Sequence, residues 1–191
     1  EGYTFIGWSP EIPDAMPEND LAFKAKWDVN SYNAVFNANG GEFSDGSTIQ
    51  TFPYEYNSEI DFERKPERPG YKFMGWNPEP GIMDSVDGKN FTATWEALTD
   101  TKYTVETYVM NADGSYSILT EELEGTTDTA ANAEYALEEG FVLNEESSIL
   151  SGNIEADGSL VLKVYIDRVK YNITLNGEEI SVLFGEEIAE P

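Results

Sequence analysis

The chain has 191 residues, of which 40% are hydrophobic and 13% aromatic, a composition that supports a packed core rather than a disordered chain. Its 37 acidic and 11 basic residues give a formal net charge of -26, which disfavours nucleic acid and anionic membrane surfaces as partners. Histidine and cysteine are absent, so disulfide bonds, thiol catalysis and cysteine-ligated metals are excluded. No apolar run approaches the roughly 18 residues of a membrane helix and no secretory signal is recognisable, so we expect no membrane insertion. If the protein is secreted, we expect these residues to be an interior piece of it.

The first predicted element is a strand, "GYTFIGW", from Gly2 to Trp8. A proline-rich stretch, "SPEIPDAMPEND", follows and is predicted to be irregular, because proline fixes φ and cannot donate a ladder hydrogen bond. The next strand alternates Phe23, Ala25 and Trp27 with two lysines, which is the period of a strand with one buried face.

Both strands recur later in the chain. The first returns as "GYKFMGW" from Gly70 to Trp76, an offset of 70 minus 2, or 68. The same offset carries the alternating strand onto Phe91, Ala93 and Trp95. Two separated motifs in one register predict an internal repeat of about 70 residues.

A third copy is weaker. "GFVL" from Gly140 stands where "GYKF" stood from Gly70, and "LKVY" from Leu162 stands where "TATW" stood from Thr92. First halves of the repeats begin at tyrosines, which are Tyr32, Tyr103 and Tyr171. The predicted organisation is a C-terminal half repeat at 1–28, a complete repeat at 29–98, a second and divergent complete repeat at 99–168, and the N-terminal half of a further repeat at 169–191.

Pairs of Asn or Asp with glycine separate the predicted strands, because they reach positive φ at little cost and close hairpins. These pairs include Asn39-Gly40, Asp45-Gly46, Asp113-Gly114 and Asp157-Gly158. The segment "DTAANAEYALEEG", residues 128–140, differs: its helix formers, candidate N-cap and final glycine predict a helix when it is read by itself. The predicted fold class is mainly β, α+β at most, with small modules in tandem and an elongated arrangement.

The motifs "YNAVFNANGG", "RPGYKFMGWNPE" and "FTATW", between Tyr32 and Trp95, resemble the Listeria-Bacteroides repeat, the family that includes the internalin B-repeat. Residues 2–27 are similar to the second half of that repeat, and residues 102–168 resemble the mucin-binding-protein-type repeat. The resemblance implies β-grasp-like modules in a secreted, wall-attached protein of a Gram-positive bacterium, with no catalytic residues. In related repeats the stretch that matches 128–137 tends to be extended, which argues against the helix.

Two tryptophans, Trp8 and Trp76, are candidate ligand contacts, because each is followed within two residues by a proline and a tryptophan at such a rim is half exposed. Packing is the leading alternative for both, since residues that recur in small repeats usually fill the same interior. Trp27 and Trp95 are expected in the core, because their strands alternate cleanly with lysine or threonine.

No catalytic, cofactor-binding or metal site is predicted. Without histidine or cysteine the usual general base and soft nucleophile are missing. Residues 153–158 match the opening of a calcium-binding EF-hand loop, but its twelfth position is Val164, so a hairpin turn is favoured. An internal Lys-Asn cross-link would need a buried lysine. The strand lysines considered for it, which are predicted to point outward, are Lys24, Lys72 and Lys163.

These observations together predict a non-enzymatic repeat segment of a bacterial cell-surface protein, acting as an extracellular spacer or adhesion module. It would be attached to the cell wall or cell surface, with an unidentified extracellular protein or glycan as partner. The alternative is a carbohydrate-binding module that uses exposed aromatic side chains. The half repeats at 1–28 and 169–191 are complementary, which predicts head-to-tail self-association.

Overall fold

A computed structural model describes residues 1–188 of the chain. Within these residues the secondary structure is entirely β, with no helix. The strands are β1 (Tyr3–Ser9), β2 (Lys24–Val29), β3 (Ser31–Asn37), β4 (Ile49–Glu55), β5 (Tyr71–Asn77), β6 (Lys89–Ala97), β7 (Thr101–Met110), β8 (Tyr116–Gly125), β9 (Ala130–Asn132), β10 (Phe141–Leu143), β11 (Ser151–Asn153), β12 (Val161–Arg168), β13 (Lys170–Leu175) and β14 (Glu178–Leu183).

The strands group into two compact units. The first unit comprises Glu1–Arg68 and Lys72–Glu96, and the second comprises Pro69–Tyr71 with the residues from Ala97 onward. Each unit has its own hydrophobic core, as the packing within it shows.

The first unit is built on a four-stranded sheet in the order β4-β3-β6-β5. β3 pairs antiparallel with β4 and parallel with β6, so the two central strands are parallel. Alternation along these strands places Phe36 and Phe91 on the buried face, where both side chains are almost fully enclosed. The other buried members of this core are Ala34, Ala38, Phe43, Ile60 and Met83. A separate two-stranded hairpin, β1 with β2, also belongs to this unit.

The second unit repeats this sheet in the order β8-β7-β12-β10. β7 pairs antiparallel with β8 and parallel with β12, as β3 does with its neighbours in the first unit. Its buried residues are Val105, Ala131, Ile154, Leu162, Val164 and Ile166. Two further pairs, β9 with β11 and β13 with β14, complete the unit. Two sheets with one strand order confirm the predicted mainly β fold made of small tandem modules.

The ladders correct the alignment of the third copy by one residue. In the hairpin β1–β2 Phe5 lies opposite Trp27, and in the second unit Leu143, which follows Gly140 as Phe5 follows Gly2, lies opposite Ile166. Ile166 thus takes the place of Trp27 and of its repeat Trp95, and Leu162 precedes Ile166 by the same four residues by which Phe91 precedes Trp95. Leu162 therefore occupies the buried position of Phe91, whereas the sequence offset placed it at the exposed position of Thr92. The alternation of buried and exposed residues decides this register, because a slip of one residue would turn every side chain of the strand to the opposite face.

The helix predicted for residues 128–140 is wrong. Ala130–Asn132 is instead strand β9, paired with β11, and the remainder of the segment has no regular structure. Asp128, the candidate N-cap, has a φ of 61°, and Ala131 is buried in the core. Tertiary pairing and burial thus override a helix propensity that amounts to only tenths of a kcal/mol per residue, about 0.7 at most for ordinary residues.

All three Asp-Gly pairs form turns. Asp45-Gly46 and Asp113-Gly114 lie in the hairpins β3–β4 and β7–β8, as predicted. Asp157-Gly158 lies between β11 and β12, which do not pair with each other, so the hairpin predicted there is wrong. The Oδ1 atoms of Asp45, Asp113 and Asp157 each accept a hydrogen bond of 3.0 Å from the backbone N–H two residues later. A serine supplies that N–H in every case, and its hydrogen bonds hold the pKa of each of these carboxyl groups below its usual value. The four-segment division of the chain stays a prediction, and residues 189–191 of its last segment lie outside the described residues.

Candidate functional site

The terminal hairpin β1–β2 carries three aromatic side chains in contact. The ring of Phe5 lies edge-on to that of Trp8, with centroids 5.4 Å apart, and edge-on to that of Trp27 at the same distance. The hairpin β5–β6 repeats this trio, with Phe73 lying 5.3 Å from Trp76 and 5.6 Å from Trp95. The 68-residue sequence repeat is therefore also a repeat of side-chain geometry.

In the complete repeat this trio is covered. The ring of Trp76 lies edge-on to Phe36 at 5.1 Å and stacks on Phe43 at 6.2 Å, so this candidate ligand contact packs against the core. The indole N–H of Trp95 donates to the carbonyl oxygens of Ala38 and Asn39, both at 3.0 Å. Trp76 and Trp95 are thus held by strand β3 and the segment that follows it.

In the hairpin β1–β2 the same trio is open. Phe5 is 45% exposed, Trp8 41% and Trp27 57%. The core position expected for Trp27 is therefore wrong, because within residues 1–188 no counterpart of β3 lies beside β2. Trp8 has the exposure expected of a ligand contact, and Trp27 joins it on the same face. A shallow concavity lined by Glu1, Tyr3 and Trp27 lies beside them.

A second aromatic cluster, which the sequence analysis missed, lies on the outer face of the second unit. The rings of Tyr108 and Tyr165 stack with centroids 4.3 Å apart and an interplanar angle of 8°, and Tyr116 lies edge-on to Tyr165 at 5.4 Å. Tyr108 and Tyr165 are directly opposite in the parallel ladder of β7 and β12. Tyr165 alternates with the buried residues Leu162 and Val164, so the sequence could have placed it on the outer face of its strand. Its contact with Tyr108 could not be predicted, because it depends on the register of the ladder.

Acidic side chains hold the hydroxyl groups of this cluster. Tyr108 donates to Glu106 Oε2 at 2.7 Å, and Tyr116 donates to Asp167 Oδ1 at 2.6 Å. The hydrogen bond to Glu106 is the main cause that raises the pKa of Tyr108 to about 12. Burial, followed by the hydrogen bond to Asp167, raises the pKa of Tyr116 to about 12. Both phenols are therefore neutral donors at physiological pH.

The three lysines considered for a cross-link are on the outward faces of their strands. Lys24 and Lys72 are exposed. Lys163 is on the tyrosine face, where its Nζ atom lies 3.7 Å from Glu106 Oε2. These positions agree with the outward orientation that the alternation predicts.

A backbone hydrogen-bond relay occurs three times in the chain. In each copy the carbonyl oxygen of a glycine accepts from a second residue, whose own carbonyl accepts from the N–H of a third, all at 2.8–3.0 Å. The three copies are Gly2-Asn30-Tyr56, Gly70-Leu98-Thr127 and Gly140-Val169-Phe184. The first copy lies within the first unit and the other two lie within the second.

Glycine is required at the start of each relay. Gly2, Gly70 and Gly140 have φ values of 79°, 71° and 81°, in the left-handed region that favours glycine. A Cβ atom at Gly140 would overlap the ring of Phe184, and one at Gly2 would overlap the ring of Tyr56. In the sequence these glycines are only the first residues of a repeated motif. In the structure Gly2 and Gly140 lie close to the aromatic ring that follows a later strand.

Within the described residues, no group of three or more acidic side chains is placed to hold a metal ion. The same part of the chain contains no helix long and apolar enough to cross a membrane.

Comparison with known proteins gives matches to parts of the chain. A protein named as a candidate membrane protein of Evansella cellulosilytica is 26% identical over 141 residues, 68% of this chain and 20% of the relative. A candidate Gly-rich membrane protein of the same organism is 24% identical over 123 residues, 60% of this chain and 14% of the relative. Internalin H of Listeria monocytogenes is 32% identical over 108 residues, 52% of this chain and 17% of the relative.

The chain therefore spans a fifth or less of the length of these relatives. Residues 32–114 match the family model of the Listeria-Bacteroides repeat domain. This range covers the four strands of the first sheet, its aromatic core and the start of the next sheet. Residues 32–114, less than half of the chain, are thus similar to the Listeria-Bacteroides repeat domain.

Proposed function

We propose that this chain is a non-enzymatic repeat segment of a bacterial cell-surface protein, where it acts as an extracellular spacer and adhesion module. The observation that carries the proposal is the threefold backbone relay. In each copy main-chain hydrogen bonds connect a glycine to two later positions of the same unit, and in the second copy the Thr127 hydroxyl also donates to the Gly70 carbonyl oxygen at 2.9 Å. Apart from the glycine at its start, a relay made by main-chain groups sets few demands on side chains, so successive repeats can diverge in sequence and keep the same connection.

The relatives support the location. One is an internalin and two carry names that place them at a membrane, and each is several times longer than the aligned region. A segment that makes up a fifth of such a protein fits a spacer that holds other parts of it away from the cell. We assign the chain on this basis to the outside of the cell, attached to the wall or the surface.

We extend the family assignment in two ways. The first complete repeat is of the internalin B-repeat type, a proposal supported by the match of residues 32–114 to the Listeria-Bacteroides repeat domain and by the 32% identity with Internalin H. The repeat at 99–168 is a mucin-binding-protein-type module, supported by a sheet order that equals that of the first repeat and by the extra pair β9–β11. The partner in either case is an extracellular protein or glycan.

Protease treatment of intact cells tests the location. An antiserum raised against residues 1–191 should detect the parent protein on untreated cells and lose that signal after trypsin is added outside the cells. A cytoplasmic enzyme detected in the same samples is the control for lysis. Survival of the signal on intact cells, with loss only after lysis, would contradict a surface location.

A carbohydrate-binding module is the second candidate, favoured by the exposed faces of Trp8 and Trp27. Titration with a panel of glycans, followed by tryptophan fluorescence, separates the two functions. Saturable quenching that Trp8→Ala abolishes and Trp76→Phe preserves would favour carbohydrate binding. No response from folded protein across the panel would favour the spacer, because the open tryptophans would then have no glycan ligand.

A further inference from the structure

The long strand β8 (Tyr116–Gly125) forms one edge of the sheet in the second unit. The sheet has the order β8-β7-β12-β10, and within residues 1–188 β8 pairs only with β7. All side chains of residues 117–124 are exposed. Three of them are aliphatic and are 58%, 61% and 40% exposed: Ile118, Leu119 and Leu123. A long, exposed and partly apolar edge strand is a surface to which another strand can add.

The outer edge of β8 presents unpaired backbone groups. Hydrogen-bonded and non-bonded residue pairs alternate along an antiparallel ladder, and the N–H of Asn111 donates to the carbonyl oxygen of Ser115 at 2.7 Å. The alternation makes Glu106 and Thr120 a non-bonded pair. The N–H and C=O groups of Thr120, and of the residues two positions before and after it, therefore point away from β7. Within the described residues β8 has no backbone hydrogen-bond partner on this side.

The equivalent edge of the first unit is blocked by a proline. Strand β4 lies at the edge of the sheet β4-β3-β6-β5, and the N–H of Ala38 donates to the carbonyl oxygen of Thr48 at 2.8 Å. The same alternation makes Asn33 and Pro53 a non-bonded pair, so Pro53 stands where an outward N–H would otherwise lie. Proline lacks an N–H and protects an edge strand from further pairing. Strand β8 contains no proline, so its edge is open.

The two faces of β8 differ in character. Leu119 and Leu123 are on the core side of the sheet, as the ladder with β7 shows. Glu122 and Glu124 are on the opposite face, because side chains alternate along a strand. Glu122 lies 3.3 Å from the Nζ atom of Lys102, and no ion pair involves Glu124 within residues 1–188. The edge therefore fits a strand with cations on one face and aliphatic side chains on the other.

We propose that β8 is the docking edge for an extended cationic peptide of a partner protein. The peptide adds to the sheet as a fifth strand, with its basic side chains beside Glu122 and Glu124. Charge selects this partner over a second copy of the chain. Residues 116–125 contain three glutamates and no basic residue, and every copy has a net charge of -26, so two β8 edges repel each other. This role goes beyond the spacer function and does not depend on it, because the purified chain is enough to test it.

A synthetic peptide provides the probe. It has ten residues, the length of β8, and lysine alternates with valine so that the two side-chain types lie on opposite faces. Fluorescence anisotropy of the labelled peptide, titrated with the whole chain, should show saturable binding that weakens as salt rises. The same peptide with glutamate in place of lysine should not bind. Absence of saturable binding of the lysine peptide by folded protein would overturn the proposal.

Thr120→Pro tests the backbone edge at constant charge. It removes an outward N–H, as Pro53 does in β4, and leaves every charged side chain in place. Binding should weaken about tenfold or more, because the new ladder loses a hydrogen bond and the proline ring obstructs the added strand. Thr120→Val is the matched control, since it keeps the N–H and should bind as the unaltered chain does. Equal affinities of the two variants would show that net charge alone attracts the peptide, and would overturn the proposal.

A pair of double variants tests the charges of the edge. Glu122→Gln with Glu124→Gln should weaken peptide binding severalfold and reduce its dependence on salt. Glu145→Gln with Glu146→Gln changes the net charge by the same amount in the turn after β10, the strand at the other edge of the sheet. This control should change the affinity little. An equal loss in both double variants would contradict recognition at β8.

Hydrogen exchange locates the contact without any variant. Saturating peptide should slow the exchange of the outward N–H groups of Ile118, Thr120 and Glu122, because they become donors in the new ladder. The N–H groups of Leu119 and Glu121 already donate to β7 and should change less. Unchanged exchange throughout β8 would overturn the proposal. Slowing at the same positions with rising protein concentration and no peptide would also overturn it, because the occupant would then be a second copy of the chain.

Discussion

The rings of Phe36 and Phe91 stack with centroids 4.9 Å apart, and the two residues also lie opposite each other in the parallel ladder between β3 and β6. Both side chains are at most 1% exposed. Removing either ring would leave a cavity where the two hairpins of the sheet meet, because Phe36 also contacts Phe62 and Trp76.

Phe36→Ala should therefore lower the free energy of unfolding of the first unit by about 3–5 kcal/mol. All four tryptophans lie between Trp8 and Trp95, so tryptophan fluorescence during urea unfolding follows this unit. Phe5→Ala is the matched control, because Phe5 is 45% exposed and should cost far less. Equal losses for the two variants would contradict the assignment of Phe36 to the core.

The relay glycines give a second prediction. Gly140→Ala should destabilise the attachment of β13–β14, because its φ of 81° disfavours a side chain and its Cβ atom would meet the ring of Phe184. Gly114→Ala is the control, since Gly114 has the same φ of 81° and open space around it. We expect about 1–2 kcal/mol from the backbone alone at Gly114 and a larger loss at Gly140.

Hydrogen exchange measures where this loss appears. The backbone N–H groups of Val169 and Phe184 donate within the relay, so in Gly140→Ala they should exchange faster while the N–H of Asn30 is unchanged. Faster exchange in Gly114→Ala at the same two positions would show that the relay is not the cause.

Much of the fold follows from the sequence because it repeats. An offset of 68 residues between "GYTFIGW" and "GYKFMGW" predicted an internal repeat, and alternation predicted a strand in each copy and the buried side of Phe91. The position of Trp27 did not follow, because its burial depends on a strand from another half repeat. Composition and period describe what a strand can bury, but they do not say what lies against it.

Two other features could not be predicted from the local sequence. The helix formers in residues 128–140 describe a preference that the pairing of β9 with β11 overrides. In the cluster of Tyr108, Tyr116 and Tyr165, the last residue is 57 positions after the first, and their contact depends on the parallel register of β7 with β12. In the third copy the sequence offset placed Leu162 one residue away from its buried position.

Salt should stabilise the protein at neutral pH. A net charge of -26 makes self-repulsion a general cost of the folded state, and ions screen it within a Debye length of about 8 Å at physiological ionic strength. The thermal unfolding midpoint should rise by several degrees between low and physiological salt, equally for NaCl and KCl. An unchanged or falling midpoint would contradict this, and a larger rise with CaCl₂ at the same ionic strength would indicate specific cation binding.

The tyrosine cluster gives a prediction at alkaline pH. The hydrogen bond to Glu106 raises the pKa of Tyr108 to about 12, and burial with the Asp167 hydrogen bond does the same for Tyr116. The folded state thus favours the neutral phenol more than the unfolded state does, where the pKa is about 10. The stabilisation is complete below pH 10 and is lost as the pH rises from about 10 to 12.

Absorbance of the phenolate, recorded against pH, measures this directly. Two of the eleven tyrosines should ionise near pH 12 in the folded protein, whereas all eleven should ionise near pH 10 in concentrated urea. Glu106→Gln should lower the pKa of Tyr108 alone, because the neutral amide still accepts a hydrogen bond but no longer repels the phenolate. Asp167→Asn should act in the same way on Tyr116. If neither variant moves a late-ionising group, the carboxylates do not hold the phenols, and the hydrogen bonds assigned to this face are wrong.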